Sequence, residues 1–257
     1  MASTGKIYKI KAFPLSANKE RSDELSVLCK TMKNWGEYLD YYARVCQNLF
    51  DGGESVFEKG AEPMCMASLA TAIHRSDKKA LTAVELPDKK SANPSGGGRV
   101  DLWAYTNDYQ FNIEGKLNRK NIGLEELEKV FVGKGKGSAT GLISKGFRDF
   151  QKSTGTRKLK RIRKTNSQGI YRIMLLMARV SVDEENSLTN FEDKLRGIFE
   201  SDEHIDVYRN SISRSGATCV PTKMGSYEHA ALVVVPDGTG GIGFVAVASI
   251  LQRPRQE

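Results

Sequence analysis

Arg99-Val100-Asp101-Leu102-Trp103-Ala104-Tyr105-Thr106-Asn107-Asp108-Tyr109-Gln110-Phe111-Asn112-Ile113-Glu114-Gly115-Lys116 is two alternating runs joined at Asn107-Asp108. Both joining residues tolerate positive φ, so they suit a two-residue hairpin turn that sets Thr106 opposite Tyr109. Side chains of a strand alternate between its faces. Val100, Leu102 and Ala104 then meet Gly115, Ile113 and Phe111 on a small, apolar face that points to a core. Asp101, Trp103 and Tyr105 meet Glu114, Asn112 and Gln110 on the other face, and Lys116 lies two residues beyond Glu114 on that same side.

Two carboxylates directly opposite on neighbouring strands destabilise a sheet by a few tenths to about 1 kcal/mol, so Asp101 and Glu114 need a compensating partner. A hard divalent cation supplies one: Mg²⁺ (or Mn²⁺) takes oxygen ligands from one or two carboxylates and completes its shell with water and phosphate oxygens. A lysine beside such an ion serves to orient or deprotonate the attacking water. The chemistry that this pattern points to is phosphodiester hydrolysis. The competing reading is an amphipathic edge hairpin on which Lys116 neutralises two surface acids.

Outward from the hairpin, Leu25, Leu28, Met32, Trp35, Leu39, Tyr42 and Val45 recur at helical spacing within 18–50, and Asp51-Gly52-Gly53 stops that helix. A second helix is predicted over 63–74, with Pro63 in its first turn and Glu62 at or before its cap. Strands are predicted at 81–86, 170–182, 217–220, 229–235 and 244–251, and helices at 124–132, 142–152 and 190–200. The segment 170–182 is almost wholly apolar at its centre, as in a strand covered on both faces.

With these elements in place the chain resembles the PD-(D/E)xK nucleases of the restriction-endonuclease-like fold. Asp101 stands where that family has its first acid, and Glu114-Gly115-Lys116 fits its second acid, free position and lysine. Val100 replaces the proline before the first acid. The resemblance covers roughly 54–182 and implies an α/β fold with a mixed central sheet flanked by helices. It also implies a metal site at Asp101, Glu114 and the Gly115 position, Lys116 at the attacking water, and a further acid from the preceding helix. Glu62 is the first candidate for that acid and Glu58 the next; Glu85, in the strand entering the hairpin, is either a supporting acid or a solvent-facing residue. Residues 1–52 are expected as an N-terminal helical arm, suited to a homodimer or partner contact, and 53–257 as the nuclease-like domain.

The chain of 257 residues carries a net charge of +8, and 115–172 holds sixteen Lys and Arg against four Asp and Glu. Localised basic charge is the footprint of polyanion contact through counterion release, or else a solvated loop. The residues expected to meet a DNA backbone, RNA being the alternative, are Lys145, Arg148, Lys152, Arg157, Lys158, Lys160, Arg161, Arg163 and Lys164. Trp103 and Tyr105 share the acidic face, where they either stack on bases or pack beneath a helix.

Other chemistries find little support. Gly238-Thr239-Gly240-Gly241-Ile242-Gly243 leads into a strand rather than a helix, and 133–141 has no GK[ST] ending, which argues against nucleotide-binding loops. Cys29, Cys46, Cys65 and Cys219 form no CxxC and read as buried thiols, and His74, His204 and His229 have no metal spacing. The apolar runs fall short of the roughly twenty residues of a membrane span, and the first residues lack signal-peptide features, so a cytoplasmic location is expected. The expected function is Mg²⁺-dependent DNA hydrolysis; the alternatives are a DNA-binding module that keeps the fold without cutting, and a protein-interaction module.

Overall fold

The computed structural model describes residues 13–14, 23–49, 62–87, 99–106, 109–133, 140–153, 170–182, 188–200, 228–234 and 242–252. Its strands are β1 (Phe13–Pro14), β2 (Leu81–Pro87), β3 (Arg99–Tyr105), β4 (Gln110–Ile122), β5 (Ile170–Ser181), β6 (Glu228–Val234) and β7 (Ile242–Gln252). The helices are α1 (Asp23–Leu49), α2 (Glu62–Ser76), α3 (Leu127–Phe131, entered through a 3₁₀ turn), α4 (Leu142–Ser153) and α5 (Leu188–Glu200). The predicted elements are present, except the strand at 217–220, which lies outside the described residues.

Among the described residues one mixed sheet of seven strands runs in the order β1-β6-β7-β5-β4-β3-β2. The pair β4/β5 is parallel and the other neighbours are antiparallel, so the crossover between β4 and β5, which contains α4, is the step that makes the sheet mixed. Residues 171–180 of β5 are all buried. Tyr171, Ile173, Leu175 and Met177 enter one core with α1 and α2; Met174, Leu176, Ala178 and Val180 enter a second with α3, α4 and α5. Period-two alternation in a strand that faces helices on both sides thus accounts for its continuous apolar composition.

The expected N-terminal arm does not stand off the sheet. Leu28, Met32, Trp35 and Leu39 of α1 are buried in the first core beside Leu69 and Ile73 of α2 and Phe244 and Ala246 of β7. Trp35 packs edge-on against Phe244, with ring centroids 5.7 Å apart, and its Nε1 donates to Ser68 Oγ at 2.8 Å. Asn34 Nδ2 also donates to Ser76 Oγ. The helical periodicity that predicted α1 carried its apolar stripe equally well, but a stripe alone does not reveal whether its cover is a partner or the chain's own sheet. The expected boundary at residue 52 lies outside the described residues.

β4 runs six residues past Lys116, pairing with β5 to Ile122. Among the described residues no helix is long and apolar enough to cross a membrane.

Trp35→Ala should lower unfolding free energy by about 3–5 kcal/mol, because it removes a fully buried indole and its hydrogen bond. Urea unfolding followed by far-ultraviolet circular dichroism should give a single, earlier transition. A separate melting step for α1 with the main transition unmoved would contradict its place in the core.

Candidate active site

The register of the hairpin is the predicted one for four pairs, from Tyr105↔Gln110 to Leu102↔Ile113, and Thr106 N–H donates to Tyr109 C=O at 2.7 Å. The ladder then stops, so Asp101 and Glu114, expected to face each other within it, lie beyond its last pair. At that point the carboxylate of Asp101 takes the place of strand pairing: Oδ2 accepts the Gly115 N–H at 2.8 Å. Two residues on, where the N–H points to the same edge, Leu117 N–H donates to Glu62 Oε2 at 3.2 Å. A side chain from β3 and another from α2 therefore cap β4 where it parts from β3.

Glu62 opens α2, where the helix dipole favours a negative charge. Its other oxygen, Oε1, accepts from Lys116 Nζ at 3.2 Å. From the opposite face of the sheet Asp149 Oδ2 lies 3.4 Å from the same Nζ. Lys116 is thus held between a helix of each layer. Gly146 enables the approach of α4: a Cβ there would lie 2.6 Å from Met174 Sδ and 3.0 Å from Leu176 Cδ2, both on fully buried side chains. One turn later the same helix face brings Asp149 to Lys116. Gly115 is similarly tight, since a Cβ would meet Met66 Cε at 2.7 Å.

The electrostatics follow from this crowding. Burial is the main reason that the Asp101 carboxyl sits above the usual range; the Gly115 hydrogen bond and the Lys116 charge pull it down, and Glu62 and Asp149 push it up. For Lys116, burial favours loss of the proton, but Glu62, Asp101 and Asp149 together outweigh it and hold the amine above its ordinary value. Lys116 is therefore an ammonium at neutral pH. Burial, then the charge of Glu62, pushes the Cys65 thiol up to about 12, which removes it as a nucleophile. Cys65 matches the buried-thiol expectation, and Cys29 is half-buried.

Of the residues singled out from sequence, the structure brings Glu62, Asp101 and Lys116 together, with Gly115 as backbone donor and Glu114 buried two residues before Lys116. Glu58 lies outside the described residues. Glu85 is exposed and occupies the β2 position opposite Asp101, between Val84↔Leu102 and Leu86↔Val100, with φ 52°. It is absent from the charges that act on Asp101, which come from Lys116, Glu62 and Asp149. Lys145 is exposed one turn before Asp149. The Arg148 and Lys152 side chains, and Arg157, Lys158, Lys160, Arg161, Arg163 and Lys164, lie outside the described residues. His74 is exposed and its Nε2 is 2.9 Å from Thr82 Oγ1, a local contact between α2 and β2.

Asp149 is the residue that sequence reasoning missed. Its signal was present: it is the only Asp or Glu between positions 129 and 182, inside the most basic part of the chain. An isolated acid among cations on a sheet-packed helix has a partner to find.

Among the described residues no group of three or more His, Cys, Asp or Glu is placed to hold a metal ion. The donors are nonetheless all oxygens, and three carboxylates surround one ammonium, leaving net negative charge. That chemistry fits Mg²⁺, which relies on one or two carboxylates with water and substrate oxygens completing its shell. Compared with protein-family models, curated proteins and solved structures, the chain matches none.

Because the folded state raises the Asp101 pKa, the cost of ionising it is absent below about pH 4, the unfolded value, and grows as pH rises through the folded value. Asp101→Asn keeps an oxygen for the Gly115 N–H and removes that cost. The variant should melt above wild type at pH 7, with the gap closing as the pH falls toward 4. Equal melting temperatures at neutral pH would show that Asp101 carries no ionisation cost.

Proposed function

We propose that the protein is a Mg²⁺-dependent nuclease that hydrolyses DNA phosphodiester bonds, with the PD-(D/E)xK arrangement of acids and lysine. The observation that carries this reading is Lys116 Nζ held between Glu62 and Asp149 beside Asp101, where β3 parts from β4. The element order α2-β2-β3-β4-α3-α4-β5, with a parallel β4/β5 pair after an antiparallel meander, supports the restriction-endonuclease-like fold.

Asp101 and Glu114, with Glu62 as an additional acid, are the residues that would hold the metal. When bound, Mg²⁺ supplies Lewis acidity and a nucleophilic water near neutral pH. Lys116, protonated by its three acidic neighbours, is a hydrogen-bond donor and a fixed positive charge rather than a base. Its part is to orient the attacking water and to stabilise negative charge that develops on the phosphoryl oxygens, a contribution that grows where water is excluded. Glu62 and Asp149 keep the ammonium from swinging to solvent, so that positioning survives between turnovers. Lys145, exposed on α4 one turn before Asp149, would contact a neighbouring phosphate, adding affinity without sequence information.

Purified protein incubated with supercoiled, linear and single-stranded DNA should cut in Mg²⁺ or Mn²⁺ and not in EDTA. Asp101→Ala and Lys116→Ala should each reduce the rate by about 100-fold or more. Cleavage unchanged in both variants would remove the assignment. A salt-dependent mobility shift in EDTA, with no cutting in either metal, would favour the DNA-binding module instead.

A further inference from the structure

The acidic face continues past the acids along the hairpin. Asp101, Trp103 and Tyr105 occupy successive positions of one face of β3, about 7 Å per step. The rings of Trp103 and Tyr105 lie nearly parallel, 17° apart, with centroids 6.3 Å from each other. Both are half-buried, so part of each remains open to solvent. Among the described residues each ring's one aromatic contact is with the other, and neither Trp103 Nε1 nor Tyr105 Oη has a hydrogen-bond partner. Buried Trp and Tyr usually satisfy those polar groups, and Trp35 does so through Ser68. Asn112, paired with Trp103 across the hairpin, lies beneath this surface with its Oδ1 buried, and no donor among the described residues reaches that oxygen.

Such a surface is poorly explained as core. The core side of the hairpin is already filled by Leu102, Ala104, Phe111 and Ile113, all at or below 4% exposure. Two nearly parallel aromatic rings, one face step from the proposed cleavage site, offer a π-surface. Duplex bases present neither a free face nor a free Watson–Crick edge. An unpaired base presents both.

We infer that Trp103 and Tyr105 form a base-stacking subsite, and that the substrate strand enters the site unpaired, as single-stranded DNA. This rests on the nuclease reading for the placement of the scissile phosphate at Asp101 and Lys116. The base adjoining that phosphate stacks on Trp103, and stacking is sequence-tolerant because every base has a π-face.

The chain has two tryptophans, and Trp35 is fully buried, so a ligand-induced change in emission reports on Trp103. In EDTA, where no metal-dependent cutting occurs, wild-type protein is titrated with a short oligothymidylate, with an abasic strand of equal length, and with a duplex. Oligothymidylate should quench the emission; the abasic strand and the duplex should not. Trp103→Leu should weaken oligothymidylate binding about tenfold, measured by anisotropy of a labelled strand, and leave abasic-strand binding unchanged. Tyr105→Leu, a milder change at a half-buried position, should weaken it in the same base-dependent way.

Equal quenching by the abasic strand, absence of quenching by any strand, or preference for duplex would each overturn the inference. The cleavage assay reports separately. Loss of the nuclease assignment with base-dependent quenching retained would leave a single-strand binding face, whereas Asp101-dependent cutting without quenching would leave a nuclease that does not read unpaired bases.

Discussion

Two backbone N–H groups on β4, at Gly115 and Leu117, are where the constraints on this molecule meet. A strand that loses its neighbour leaves alternate amide groups without acceptors, and an unsatisfied buried amide costs about 1–3 kcal/mol. Here the acceptors are carboxylates, Asp101 from β3 and Glu62 from α2. The solution supplies the missing hydrogen bonds but concentrates negative charge, and that charge in turn requires Lys116. Backbone satisfaction, separation of the strands and clustering of acids around a lysine are thus one problem solved once. The raised Asp101 carboxyl is the residual cost, of the kind that stability alone would not retain.

The rigid surroundings explain why so few groups suffice. Residues 171–180 of β5 lie buried between the two helical layers, and β4 pairs with it from Gln110 to Ile122 with one register shift between Asn118 and Asn121. The close approach at Gly146 sets α4 against Met174 and Leu176 of β5, and Gly115 leaves room for Met66 of α2. Glu62 and Asp149 accordingly reach one nitrogen from opposite layers without long flexible elements between. A displacement of about 1 Å in either helix would be felt directly at Lys116.

Period-two alternation was strong enough to be read directly from the hairpin: the pairs Leu102↔Ile113 to Tyr105↔Gln110 are those that the turn at Asn107-Asp108 dictates. The register placed Lys116 on the face of Asp101, whereas Glu62 was expected only from the resemblance; the structure brings the three together. The failures have a common cause. The ladder ends before Asp101 because a long-range ligand, the Gly115 N–H, competes with pairing, and no local signal encodes that. Asp149 comes from a helix thirty-three positions beyond Lys116, and its role depends on how closely α4 settles on β5. The apolar stripe of α1 was visible, but its cover, Phe244 and Ala246, is near the other end of the chain.

The left-handed backbone at Glu85 has a consequence at the rim of the sheet. Among the described residues β2 and β1 are the outer strands, and an outer strand offers a row of open N–H and C=O groups on which another chain can assemble. In β2 that row is bent at Glu85 and closed by Pro87, which has no N–H to give. At the other rim β1 is two residues long and one of them is Pro14. Among the described residues both margins of the sheet are therefore poor templates for edge-to-edge growth, a protection against aggregation written into the backbone rather than into surface charge.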